Sequence, residues 1–256
     1  MRELGDDCQS YWDIRSTSTC RCLDYSIDEI KRYIYSDAKD YAEKYGHMFP
    51  INLFYDLEGK KVLLLGCGGG EQSIFLSLLG ASCTVIDISS KQLEKDSLAG
   101  EKYQYPIRTI CRDMTEDFPD FLEKYHMIYI EGINYVKNVV PLISNTYSLL
   151  EKDGVLRIGF RNPILEFSKY WIEEDKLFFG IEDYSVKEKI VNNKSGKIVV
   201  YRHTYKELFD ALVGHGYRVT QIDECPCYPQ GVLDFGSVDN INRHVPNFMS
   251  YTAKII

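Results

Sequence analysis

Short apolar runs alternate with amphipathic stretches along most of this chain, and that alternation predicts strands and helices in turn. Residues 62–65 (Val-Leu-Leu-Leu) are continuously apolar, the pattern of a strand buried on both faces of a parallel sheet. A glycine-rich turn follows, and then Ile74, Phe75, Leu78 and Leu79 recur at helical period, with Gly80 placed where a helix ends. Residues 83–86 read as the next strand and close one βαβ unit. Downstream, Ser89 caps a helix over 91–98, and strands are expected at 106–111, 126–130 and 155–160. A short helical link over 118–125 and a helix over 139–150 lie between them. Thr204 caps a helix over 206–213, and residues 217–224 and 248–254 complete the sheet as an antiparallel pair. Upstream, Ser26 starts a helix whose apolar face carries Ile30, Tyr33, Ile34, Ala38, Tyr41, Ala42 and Tyr45, and residues 50–57 make a shorter one. These elements predict an α/β fold: a seven-stranded, mostly parallel sheet with helices on both faces.

The chemistry concentrates at the first turn. Gly66-Cys67-Gly68-Gly69-Gly70 lets the backbone turn sharply and leaves no Cβ to block a ligand across the helix start. Asp87 ends the second strand, 87 − 66 = 21 positions after the first glycine, where a carboxylate accepts the hydroxyls of a ribose. A dinucleotide site uses G-x-G-x-x-G, and here the third glycine position holds Glu71, whose charge repels a pyrophosphate. The pattern G-x-G-x-G suits a nucleoside ligand without phosphates. A nicotinamide-dependent oxidoreductase is therefore the disfavoured alternative.

The run LLLGCGGG followed by VIDIS resembles the first two motifs of the class I S-adenosylmethionine-dependent methyltransferases, in particular the members acting on small molecules. The resemblance extends from about residue 45 to the C-terminus and implies a Rossmann-like fold and S-adenosyl-L-methionine as cofactor. It assigns Gly66, Cys67, Gly68 and Gly70 to the cofactor turn and Asp87 with Ile88 to the ribose. Asp113 would read the adenine amino group, with Met114 against the ring, and Glu131, also expected to bind the cofactor, opens the loop facing the transferred methyl group. In similar proteins an N-terminal segment folds over the cofactor and contributes a tyrosine, for which Tyr11 is a candidate alongside Tyr25. Family members often have an acidic residue two positions before the first glycine; this chain has Leu64. The stretch around His203 resembles a pocket-side segment of small-molecule members, so His203 is a candidate base or acceptor-positioning group, and Glu131 a second candidate base. Opposite these stand the plainer readings of a packed histidine and a helix-capping carboxylate.

Residues 163–201 do not belong to the basic wound sheet. They hold Phe167, Tyr170, Trp171, Phe178, Phe179 and Tyr184, then two β-like runs around the turn at 192–196, and read as an inserted lid shaping the acceptor pocket. Tyr135, Tyr170, Trp171 and His203 are the expected substrate-binding residues. The expected organisation is one domain over 1–256: a helical cap (1–57), a cofactor core (58–162), the lid (163–201) and the rest of the sheet (202–256).

Composition narrows the partners. A net charge of −8 argues against nucleic acid, whose phosphates need a basic face. No apolar run reaches bilayer length, and the polar N-terminus is no secretory signal, so a cytoplasmic protein without a membrane partner is expected. Of eight cysteines, Cys67, Cys83 and Cys111 read as small hydrophobes in or beside strands; the pairs Cys20/Cys22 and Cys225/Cys227 lack ordinary zinc spacing, and no metal is expected. The expected activity is methyl transfer to a small-molecule acceptor, at oxygen or nitrogen, by in-line displacement. A relative that kept the fold and lost the reaction is the other alternative.

Overall fold

The computed structural model describes residues 4–16, 26, 28, 32, 48, 51–118, 123–174, 176–193, 195–224 and 245–256. The expected helix over 26–46, the link at 118–125, Tyr25 and both C-x-C pairs lie wholly or largely outside the described residues. The first helix, α1, spans Leu4–Arg15, where the sequence showed only an aromatic anchor at Tyr11-Trp12. Residues Ile51–Phe54 form one 3-10 turn.

The first βαβ unit and the strands after it follow the expected order. Strand β1 (Lys61–Leu65) leads into α2 (Glu71–Leu78), β2 (Ser82–Asp87), α3 (Ser90–Tyr103) and β3 (Arg108–Cys111). Strand β4 (Tyr125–Ile130), α4 (Val139–Leu149) and β5 (Leu150–Arg161) come next. A short helix α5 (Pro163–Glu166) opens the inserted segment, which forms two hairpins, β6–β7 (Ser168–Glu173, Lys176–Ile181) and β8–β9 (Glu188–Asn193, Gly196–Tyr201). Helix α6 (Tyr205–Gly214) and strands β10 (Tyr217–Glu224) and β11 (Phe248–Ile255) complete the chain. The central sheet has the order β10-β11-β5-β4-β1-β2-β3. Strands β5, β4, β1, β2 and β3 pair in parallel, and β11 runs antiparallel to both neighbours.

The unbroken apolar run of β1 is explained by layers on both sides. Val62 and Leu64 pack with Ile74, Phe75 and Leu78 of α2 and Leu93 and Ala99 of α3. Leu63 and Leu65 turn the other way, to Leu142 and Ile143 of α4 and Leu208 and Leu212 of α6. Each such side chain contributes about 1.5–3 kcal/mol through burial. Both expected caps form: Ser89 Oγ accepts from Gln92 N at 3.1 Å, and Thr204 makes a capping box with Glu207. Among the described residues no helix is long and apolar enough to cross a membrane.

Candidate functional site

The carboxyl ends of β2, β1 and β4 meet at the glycine turn. Gly66 has φ 66°, and a Cβ on it would lie 2.6 Å from the Glu131 carbonyl oxygen, so only glycine joins β1 to the turn here. At Gly68 the constraint is different. A Cβ there would lie 2.8 Å from Asp87 Cγ and 2.9 Å from its Oδ2. The missing side chain thus makes room for the Asp87 carboxylate and the Gln92 stem. Cys67 faces inward, its thiol donating to the Leu65 and Tyr129 carbonyls at 3.4 and 3.7 Å, and burial pushes its titration well up.

Asp87 is held by backbone on both oxygens: Gly68 N donates to Oδ2 at 2.8 Å and Ser89 N to Oδ1 at 2.9 Å. Burial raises its carboxyl above the usual range, and those two backbone bonds oppose the rise. A second carboxylate, Asp96 of α3, stands behind the turn. Its Oδ2 accepts from Gly69 N at 3.0 Å and its Oδ1 from Ser73 Oγ at 2.5 Å. Burial pushes it to about 7. The sequence reading missed Asp96, although it lies on the same helical stripe as Leu93, Ala99 and Gly100, and a carboxylate on a buried stripe is a signal in itself.

At the β3 end Asp113 makes its own turn, with Oδ1 accepting from Thr115 N at 2.8 Å and Thr115 Oγ1 at 2.7 Å. The Met114 side chain reaches the first glycine: its Sδ and Cε would both lie 3.3 Å from a Cβ on Gly66. Ile88 is half-buried beside Asp87. Glu131 follows β4 and is engaged from below, where Arg157 Nη1 donates to its Oε1 at 2.5 Å. Leu64, at the position where an acidic residue is common in similar proteins, is fully buried and in register with Val85 and Tyr129.

Helix α1 packs against the start of α3 and against β9. Asp13 Oδ1 accepts from Ser89 Oγ at 2.5 Å, and Ser16 Oγ donates to the Lys91 carbonyl at 2.9 Å. Tyr11 is 4% exposed and packs with Ile198 and Val200 of β9, while Trp12 sets its edge against Tyr135 at 5.4 Å between centroids. Burial of Tyr135 pushes its phenol to about 12. The spacing of Cys8, Tyr11 and Trp12 (i, i+3, i+4) was the available signal for this helix.

The loop beyond Glu131 is pinned rather than free. Asn134 Oδ1 accepts from Arg161 N at 3.3 Å, and its Nδ2 donates to the Tyr201 carbonyl at 3.3 Å. His203 Nε2 donates to the Val136 carbonyl at 2.8 Å, and burial lowers its proton affinity, so the ring is a neutral tie between this loop and β9. Tyr170 and Trp171 lie on β6; Trp171 stacks on Phe178 and remains 51% exposed. Phe167 turns inward, against Tyr184.

The family described as "Methyltransferase domain" matches residues 62–154, from β1 to the start of β5. An uncharacterized methyltransferase of Bacillus subtilis, YbaJ, is 28% identical over 184 residues, covering 67% of this chain and 71% of that protein. A ubiquinone biosynthesis O-methyltransferase of Actinobacillus pleuropneumoniae is 32% identical over 131 residues, 46% of this chain and 55% of that protein. An S-adenosylmethionine-dependent methyltransferase structure from Mesorhizobium loti shares the fold with a TM-score of 0.65 at 20% identity, over 86% of this chain and 99% of that one. With the glycine turn, the acidic end of β2 and the seven-stranded sheet, these likenesses show a methyltransferase domain over residues 62–154 on the fold shared with S-adenosylmethionine-dependent methyltransferases.

Proposed function

We propose that the protein methylates a compact organic acceptor, at oxygen or nitrogen, and that it acts in the cytoplasm. The observation that carries the acceptor reading is the seat of α1: Asp13 is tied to Ser89, two residues beyond Asp87, while Trp12 meets Tyr135 of the β4 loop. A site flanked this way suits a small acceptor better than a polymer segment. The net charge of −8 points away from nucleic acid, and the ubiquinone-pathway relative is named for an O-methyltransferase.

S-Adenosylmethionine supplies, when bound, a methyl group on a cationic sulfonium, and a site bordered by Asp87, Asp113 and Glu131 favours positive charge. The residues of this chain bind and orient. Gly66, Cys67, Gly68 and Gly70 offer backbone at the turn; Asp87 with Ile88 takes the ribose; Asp113 with Met114 takes the adenine. Tyr11 packs α1 against β9, and Tyr135 forms the acceptor wall. Alignment of acceptor and methyl group then supplies most of the acceleration. His203 and Glu131 are reassigned from the base role. The His203 Nε2 proton is committed to Val136, and Glu131 to Arg157, so both position rather than abstract a proton. Tyr170 and Trp171, on the outer hairpin, reach the acceptor only as a lid.

The test is incubation with methyl-labelled S-adenosylmethionine and a cell extract split by ultrafiltration. Label in the small-molecule fraction, with matching S-adenosylhomocysteine, is the expected outcome. Label confined to protein or nucleic acid would overturn the acceptor class.

A further inference from the structure

Arg157 sits in the middle of β5 and is fully buried, in a strand otherwise apolar from Val155 to Phe160 apart from Gly159. A charge taken out of water there is tolerated only if it is paired and otherwise well contacted. Both conditions hold. Arg157 Nη1 donates to Glu131 Oε1 at 2.5 Å, and its guanidinium carbon lies 4.2 Å from the centre of the Tyr129 ring. The Tyr129 phenol is in turn hydrogen-bonded to Glu131. Tyr129 and Arg157 are register partners across β4 and β5, and Glu131 lies two residues beyond Tyr129, on the same face. Gly159 leaves the space: a Cβ there would collide with Arg157 Nη1 and lie 2.8 Å from Glu131 Oε2.

The fold gains nothing obvious from this arrangement, since a well-packed apolar pair serves stability as well as a buried ion pair. Its position suggests a use. In the sheet order β3-β2-β1-β4, Asp113 follows β3, Asp87 ends β2 and Glu131 follows β4. A ligand with its adenine at β3 and its ribose at β2 therefore extends its tail over β1 toward β4. The distance from β2 to β4 is two strand spacings, roughly 9–10 Å. Glu131 keeps 23% of its side chain exposed while Arg157 keeps 1%. A carboxylate offers about four lone-pair sites, of which Arg157 and Tyr129 occupy two. The couple thus presents its negative end outward and its positive end inward, which attracts an ammonium without placing a full net charge against the carboxylate beside it.

We propose that Arg157, with Tyr129, is a positioning residue that holds Glu131 aimed outward to accept the α-ammonium of the cofactor's methionine portion. The proposal rests on the cofactor lying across the strands as assigned above. Two ligands separate the ideas: S-adenosylhomocysteine, which has the amino-acid tail, and 5′-methylthioadenosine, which shares the nucleoside and sulfur but lacks it. Calorimetry on Glu131→Gln should show S-adenosylhomocysteine weakened about 10–100-fold, as loss of a charged hydrogen bond implies, with methylthioadenosine changed less than threefold. Arg157→Met should show the same selective loss, Arg157→Lys a smaller one, and the double variant no more than the larger single effect. Unchanged tail selectivity in Glu131→Gln, or an equal loss of both ligands in the arginine variants, would overturn it. If Arg157→Met does not fold, Arg157→Lys and Tyr129→Phe decide by the same ratio. A wild-type protein that binds neither ligand would instead refute the cofactor arrangement itself.

Discussion

Asp96 makes the folded protein sensitive to pH in a direction that can be worked out. Its carboxyl is fully buried, holds Gly69 N and Ser73 Oγ, and is pushed by burial from 3.8 to about 7. The native state therefore binds this proton more tightly than the unfolded chain does. Its contribution to stability is complete below about pH 4 and is lost as pH rises toward 7. Between pH 5 and the folded value, two units at 1.36 kcal/mol each amount to about 2–3 kcal/mol. In Asp96→Asn the side chain stays neutral at every pH, and its amide oxygen can still accept from Gly69 N. Urea unfolding of both proteins from pH 5 to pH 8 isolates the term by difference. The stability of Asp96→Asn relative to wild type should rise by about 2–3 kcal/mol over that range and level off near neutrality. Curves that run parallel from pH 5 to pH 8 would refute the reasoning, because Asp96 would then ionise equally in both states.

Gly68→Ala puts a Cβ 2.8 Å from Asp87 Cγ and from Gln92 Cβ. It should cost about 1–3 kcal/mol of stability and displace the Asp87 carboxylate, lowering both Tm and S-adenosylhomocysteine affinity; unchanged values in a thermal melt and a titration would show that the turn accommodates a methyl group. Replacing residues 169–180 of the β6–β7 hairpin by a short Gly-Ser linker removes the exposed Trp171–Phe178 stack while leaving the buried Phe167 in place. S-Adenosylhomocysteine affinity should stay within a few-fold while acceptor turnover collapses, and loss of both together would show that the hairpin is packing and not lid.

The first βαβ unit was legible because its signals are local. An apolar run that feeds both layers, a glycine turn and an acidic strand end lie within 26 residues, 62–87. The caps at Ser89 and Thr204 were equally local. What the sequence hid depends on contacts between distant positions. Asp13 meets Ser89 across 76 residues, so a helix with one weak apolar stripe gave no hint that it docks beside the end of β2. Arg157 and Glu131 are 26 apart, and each alone reads as an ordinary charge. The inserted segment showed its aromatics and its second hairpin. That its first half folds back as β6–β7, with Trp171 stacked outward, follows from strand pairing that composition does not encode.

The central claim is that the cofactor lies across the carboxyl ends of the strands with its ribose on Asp87. Calorimetric titration of S-adenosylhomocysteine into wild type, Asp87→Asn and Asp87→Ala tests it most directly, with circular dichroism to confirm that the variants fold. Wild type should give a single saturable site. Both variants should weaken it by about 1.5–3 kcal/mol, roughly 10–150-fold, because a charged acceptor is lost. Folded variants that bind S-adenosylhomocysteine as tightly as wild type would contradict the account.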